Sequence, residues 1–181
     1  MANYWQKRAY AELSTETNDL SKRGLVYLMS EFFTVAQTSS VSFCLTTNGA
    51  EVEFQFYDIG TAQEVIRAEL IEAPTVTKFG PQISARNLNR NFSDAHTAAL
   101  QSASAVSGGT RIASEMIGAD KAQGAMSSGK VHTLAPDTDY VMTFYNTGNQ
   151  DTLCHLNLGW SENDPASYDL ITEGINDGGV T

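Results

Sequence analysis

Residues Val41–Thr47 and Glu51–Phe56 alternate in character with a period of two, and Asn48-Gly49 lies between them. In the second run Val52, Phe54 and Phe56 fall on one side and Glu51, Glu53 and Gln55 on the other. A period of two belongs to a strand with one buried face. Asn-Gly is the strongest short signal for a two-residue hairpin turn. Together they predict a β-hairpin and, around it, an antiparallel all-β chain.

The same pattern continues along the chain. Gly24–Ala36 is apolar and aromatic. Leu25, Leu28, Met29 and Phe32 have helical spacing, but the aromatic content favours a strand. Val65–Glu72, ended by Pro74, is a candidate strand, as are Ala95–Ser104, Thr110–Ile117 after the turn Gly108-Gly109, Lys130–Leu134, Tyr140–Asn146 and Thr152–Trp160. Pro136-Asp137 and Gly148-Asn149 punctuate the turns. About nine strands joined by polar turns predict a β-sandwich, with a jelly roll as the leading topology. Tyr140 and Trp160 are expected in its core. Open sheet edges need cover, which oligomerisation commonly provides.

Two flanks differ in composition from this domain, which spans residues 24–162. Residues 1–23 are polar and mixed in charge. Ala2–Leu13 is a short candidate helix with Tyr4, Trp5, Arg8 and Leu13 on one side. A helix of that length is not stable alone in water, so the segment reads as an arm that orders against something else. Tyr4, Trp5, Lys7 and Arg8 give it the aromatic and cationic character of interface hot spots. Residues 163–181 form an acidic tail rich in Gly and Asp. It is either a solvated extension or a segment that docks Tyr168, Leu170, Ile171 and Ile175 on a neighbour, and those apolar side chains favour docking.

The net charge is −10. Residues 1–40 are neutral, with four basic residues against four acidic ones, whereas residues 161–181 hold five acidic residues and no basic one. Such a field repels phosphate backbones and disfavours nucleic-acid binding. No run approaches the ~18 apolar residues of a membrane span. Met1–Tyr10 lacks the apolar core of a signal peptide, so synthesis and retention in the cytoplasm are expected. Cys44 and Cys154 sit in apolar runs and read as buried, reduced thiols; a disulfide between them is disfavoured in a reducing compartment.

Catalytic chemistry finds no motif here. His96, His132 and His155 lack a second ligand at metal-binding spacing, and Cys154 and His155, adjacent on a strand, face opposite ways. There is no Gly-x-Ser-x-Gly elbow, and Ser107-Gly108-Gly109 reads as hairpin chemistry. Gly124 and Gly129 do not open a phosphate loop. Among 21 acidic residues nothing singles out a glycosidase pair. The sequence therefore points to no enzyme, no metal and no cofactor. Asn87, Asn89, Arg90 and Asn91 carry two readings. The asparagines satisfy turn backbone while Arg90 bridges carbonyls or a carboxylate between strands, or Arg90 contacts a neighbouring subunit.

Several segments, taken in order, resemble a known family. Leu70-Ile-Glu-Ala-Pro-Thr-Val-Thr77 is followed by Asn87-Leu-Asn-Arg-Asn91, Gly108-Gly109-Thr110-Arg111-Ile112, Leu134-Ala-Pro-Asp-Thr-Asp-Tyr140, Asn146-Thr-Gly148 and Leu156-Asn-Leu-Gly-Trp-Ser-Glu162. This series is similar to small β-sandwich virion proteins of tailed bacteriophages over roughly residues 24–162, although each motif alone is weak. The resemblance implies a capsid decoration (cement) protein on the outer head surface, assembled in the host cytoplasm. Its partners would be the major capsid protein and further copies of itself, with a trimer as the analogy's expectation. The contact residues expected on this reading are Tyr4, Trp5, Lys7, Arg8, Arg90, Tyr168, Leu170 and Ile171. The alternatives are a receptor- or glycan-binding head-fibre or tail component, and a polysaccharide-degrading enzyme.

Overall fold

The computed structural model describes residues 18–118, 126–127 and 132–163. A short helix, α1 (residues 18–22), turns through Gly24 into β1 (Val26–Val35). There follow β2 (Ser40–Thr46), β3 (Glu51–Thr61), β4 (Ile66–Glu72), β5 (Thr75–Gln82), β6 (Arg86–Asn87) and β7 (Ala99–Ser107). The remaining strands are β8 (Thr110–Ile117), β9 (Met126–Ser127), β10 (His132–Leu134), β11 (Asp139–Asn146) and β12 (Thr152–Asn163). They form two antiparallel sheets. The first has the order β10-β3-β12-β1-β6, with β9 also on β3; the second has the order β5-β7-β2-β11-β4-β8. The all-β sandwich expected from the alternation is thus what the chain forms.

The core lies between the sheets. Met29, Val52, Phe54, Leu156, Leu158 and Trp160 from the first sheet meet Phe43, Leu45, Ile66, Leu100, Tyr140 and Phe144 from the second. The adjacent Phe32 and Phe33 show why β1 is a strand. Phe33 packs 5.0 Å from Phe43 and 5.1 Å from Phe144 between ring centroids, whereas Phe32 faces outward and is 70% exposed. Tyr140 and Trp160 are both buried, as the sequence led us to expect.

Two turns do not do what their sequences predict. β2 and β3 are not a hairpin: β2 pairs with β7 and β11, while β3 pairs with β12, β10 and β9 in the other sheet. The turn still reverses the chain at Gly49, where φ is +75°. Distant groups splay it: Gly49 N donates to the Asp137 carboxylate at 2.7 Å, Thr47 Oγ1 to the Ala135 carbonyl at 2.6 Å, and Asn48 Nδ2 to the Thr97 carbonyl at 3.1 Å. Each strand has one strongly apolar face. Placing the two in opposite sheets lets those faces meet across the core.

Nor is Gly108-Gly109 a hairpin turn. β4 and β5 together run antiparallel to β7 and β8, and the register passes from Glu72↔Thr110 to Thr75↔Ser107 without a break. The result is one long two-stranded ribbon cornered at Ala73-Pro74 and Gly108-Gly109. Its halves form opposite edges of the second sheet, with β2 and β11 between them. Ala73, with φ +48°, donates its N–H to the Asp139 carbonyl at 2.8 Å, tying the corner to β11. β5 went unread in the sequence because Gly80 and Pro81 interrupt it; an edge strand tolerates both. β7 begins at Ala99 rather than Ala95, because residues 96–98 are held by side chains instead of a ladder.

The corner makes a paired prediction. A Cβ at Gly109 would sit 2.7 Å from the Glu72 carbonyl oxygen at φ +80°, whereas one at Gly108, φ +68°, would meet open space. Gly108→Ala should cost about 1 kcal/mol from backbone conformation alone, and Gly109→Ala about 2–3 kcal/mol more. Urea denaturation measures both, and equal losses would contradict the ribbon corner.

Candidate interaction surfaces

One end of the first sheet is organised by Glu162, near the end of β12. Its carboxylate is buried and accepts the backbone N–H groups of Thr97 at 2.7 Å and Ala98 at 2.8 Å, and the indole N–H of Trp160 at 3.2 Å. Charge-assisted bonds of this kind satisfy a buried carboxylate that would otherwise be costly. They fasten the connection between β5 and β7 to the sheet. The ring of His96 packs edge-on 5.7 Å from Trp160, and its Nδ1–H donates to the Ala98 carbonyl at 2.5 Å.

Within the same connection, Asn87 is buried. Its Nδ2 donates to the Gly24 carbonyl at 2.7 Å, and its Oδ1 accepts the Asn89 N–H at 2.9 Å. Asp94 accepts Asn87 N at 2.8 Å and Arg90 at 2.6 Å, with Arg86 further off at 3.5 Å. First the Asn87 N–H and then the Arg90 guanidinium hold the Asp94 carboxyl below its ordinary value. Arg90 therefore bridges a carbonyl and a carboxylate as expected, but within the loop after β6 rather than between strands. Its guanidinium still faces solvent. The other anticipated contact residues, Tyr4, Trp5, Lys7, Arg8, Tyr168, Leu170 and Ile171, lie outside the described residues.

The structure also brings out surface features that motif reading passed over. β6 covers only Tyr27 and Leu28, so among the described residues β1 has an open edge from Met29 to Val35. Phe32 stands on that stretch, 5.9 Å from the ring of His155, and Leu153 is exposed on the neighbouring strand. Asp58 faces His155 at 3.3 Å and accepts from Asn157 at 3.4 Å. On the ribbon, Phe79 and Met116 are exposed. A signal for Phe32 was present: neighbours on a strand face opposite ways, so Phe32-Phe33 must expose one ring or bury it in another layer.

Between the sheets a cavity of about 40 Å³ is lined by Phe54, Ile59, Leu70, Glu115, His132 and Met142, among others. That volume holds a water or two, not a six-membered ring, which needs ~150 Å³. Both cysteines are free and buried, and burial pushes the Cys44 thiol up to about 12. No group of three or more His, Cys, Asp or Glu among the described residues could hold a metal ion. No helix of the described residues is long and apolar enough to cross a membrane. No protein-family model matches the chain, and no curated protein matches it.

Two outcomes follow from the polar end. Glu162→Gln should destabilise the domain by about 2 kcal/mol and raise hydrogen exchange at Thr97 and Ala98, because a neutral amide replaces a carboxylate that serves three donors. The Asp94 contribution should be complete above its ordinary value of 3.8 and lost as the pH falls through the lower folded value. Hydrogen exchange at Asn87 should track that loss, and Asp94→Asn should show the weakened loop already at neutral pH.

Proposed function

We propose that this protein is a structural component of a bacteriophage virion, a decoration protein that binds the outer surface of the head as an oligomer and stabilises the shell. The observation that carries this reading is the open edge of β1 with Phe32 70% exposed upon it. A sheet edge with unpaired backbone groups and an exposed aromatic ring is costly to leave in water and ready to pair with another chain. The stretch Ser30–Thr34 has no Pro, Gly or Lys to block such pairing. By contrast, the β5 edge carries Lys78, Gly80 and Pro81, devices that discourage it. The ordered series of virion-like motifs directs the reading to a capsid, and the acidic composition suits a domain that must stay soluble until it meets its shell. We further read the cornered ribbon of β4–β5 and β7–β8 as the wrapped element of a jelly roll.

Mechanistically, the edge and the N-terminal arm would bury surface only on an assembled, expanded shell. Their binding free energy then adds to the stability of that shell by linkage. Specific interfaces bury ~1,200–2,000 Å² in total, which one sandwich edge plus an arm can supply.

Co-sedimentation with expanded shells that lack the protein tests the reading. The full chain should bind saturably. Phe32→Glu should weaken binding at least about tenfold, the loss of ~1.4 kcal/mol or more, with no change in the thermal midpoint. Deletion of residues 2–17 should weaken it as well. No binding by the full chain would overturn the decoration reading and favour a receptor- or glycan-binding component.

A further inference from the structure

We propose that the acidic C-terminal segment, residues 164–181, docks on its own domain, on a basic and apolar shelf formed by α1 and the loop after β6. Two contacts build the shelf. The Phe92 ring lies over Gly24, where a Cβ would collide with it, and Asn89 Nδ2 donates to the Lys22 carbonyl at 3.1 Å. This brings together the exposed cations Lys22, Arg23, Arg86 and Arg90 with two exposed apolar side chains, Leu88 at 40% and Phe92 at 47%. The acids at this end are already engaged. Asp19 on α1 pairs with Lys22 at 3.4 Å, Asp94 serves Asn87, Arg86 and Arg90, and Glu162 is buried on backbone amides.

Segment and shelf are complementary in charge and in character. The segment carries Asp164, Asp169, Glu173 and Asp177 and no basic residue, interleaved with Tyr168, Leu170, Ile171 and Ile175. Its starting point is also in the right place. Glu162 N donates to the Leu25 carbonyl and Leu88 N to the Val26 carbonyl, so the end of β12 and the shelf flank the same short stretch of chain. Two strand spacings, ~10 Å, separate them. The five residue steps from Asn163 to Tyr168 reach ~17 Å when extended. On its other flank, the end of β12 pairs with Glu51, whose carboxylate repels an acidic chain. A tether this short gives an effective concentration of order mM, so the chain's own segment outcompetes that of another copy at ordinary protein concentrations. A docked segment would cover Leu88 and Phe92 until something displaces it.

Amide spectra of the ¹⁵N-labelled full chain, and of a chain ending at Asn163, test this. The proposal expects shifts at Leu88, Asn89 and Phe92 between the two, independent of protein concentration. A synthetic peptide of residues 164–181 added to the shortened chain should restore the full-chain positions. The triple reversal Lys22→Glu, Arg23→Glu, Arg86→Glu, all at exposed side chains, should weaken the peptide at least about tenfold while leaving the core amides in place, and raised salt should act in the same direction. Identical spectra for the two chains would overturn the proposal. Shifts that appear only as the protein is concentrated would overturn it in favour of docking on a second copy.

Discussion

The second sheet depends on one constraint, the register that the ribbon of β4–β5 and β7–β8 keeps through its corner, from Glu72↔Thr110 to Thr75↔Ser107. A ribbon that corners once and returns supplies both outer strands and both of their inner neighbours. β2 and β11 need only fill the space between. The corner tolerates this because Ala73, Gly108 and Gly109 all adopt positive φ, which few residues accept cheaply. On the outer side of this sheet, Glu69 is buried between Arg111 at 2.9 Å and Arg67 at 3.5 Å, so a charged cross-strand cluster links β8 to β4 beside the corner.

The first sheet is organised differently. β12 is its longest strand and pairs along its length with β1 and β3. The ladder alone does not position the connection between β5 and β7; the Glu162 carboxylate does, by drawing two backbone amides and the Trp160 indole to one point. Because the same connection carries Arg86, Leu88, Arg90 and Phe92, a buried acid deep in the fold fixes where an exposed basic and apolar surface stands. Here energetics and surface chemistry meet in a single side chain.

Among the described residues, the β5 edge and the uncovered stretch of β1 contrast in how they meet solvent. β5 carries a cation, a glycine, a proline and a shift in register, each of which discourages pairing with another strand. Over the same kind of exposure β1 carries Ser, Glu, Phe, Phe and Thr with a regular ladder on its inner side. Among the described residues the β5 edge carries such devices and the stretch of β1 from Ser30 to Thr34 does not, and this contrast is the reason attachment is proposed at β1.

Much of the fold class was legible in the chain itself. Period-two alternation at Val41–Thr47 and Glu51–Phe56, and apolar runs at Tyr140–Asn146 and Thr152–Trp160, are local signals of strands, and local signals are what backbone and side-chain periodicity encode. A bridging role for Arg90 was also legible, though its partner proved to lie four residues away in the same loop rather than on another strand. What only the tertiary structure decided were the choices among distant partners. Asn48-Gly49 turns the chain but cannot say whether the strands beside it pair, because that rests on which neighbours bury the apolar faces better. Gly108-Gly109 marks a bend but not its kind, because a hairpin and a ribbon corner demand the same backbone freedom. Phe32-Phe33 shows locally that one ring must leave the core, but which ring does so, and the gathering of Lys22, Arg23, Arg86 and Arg90 into one shelf, arise from pairings over tens of residues, which no local pattern records.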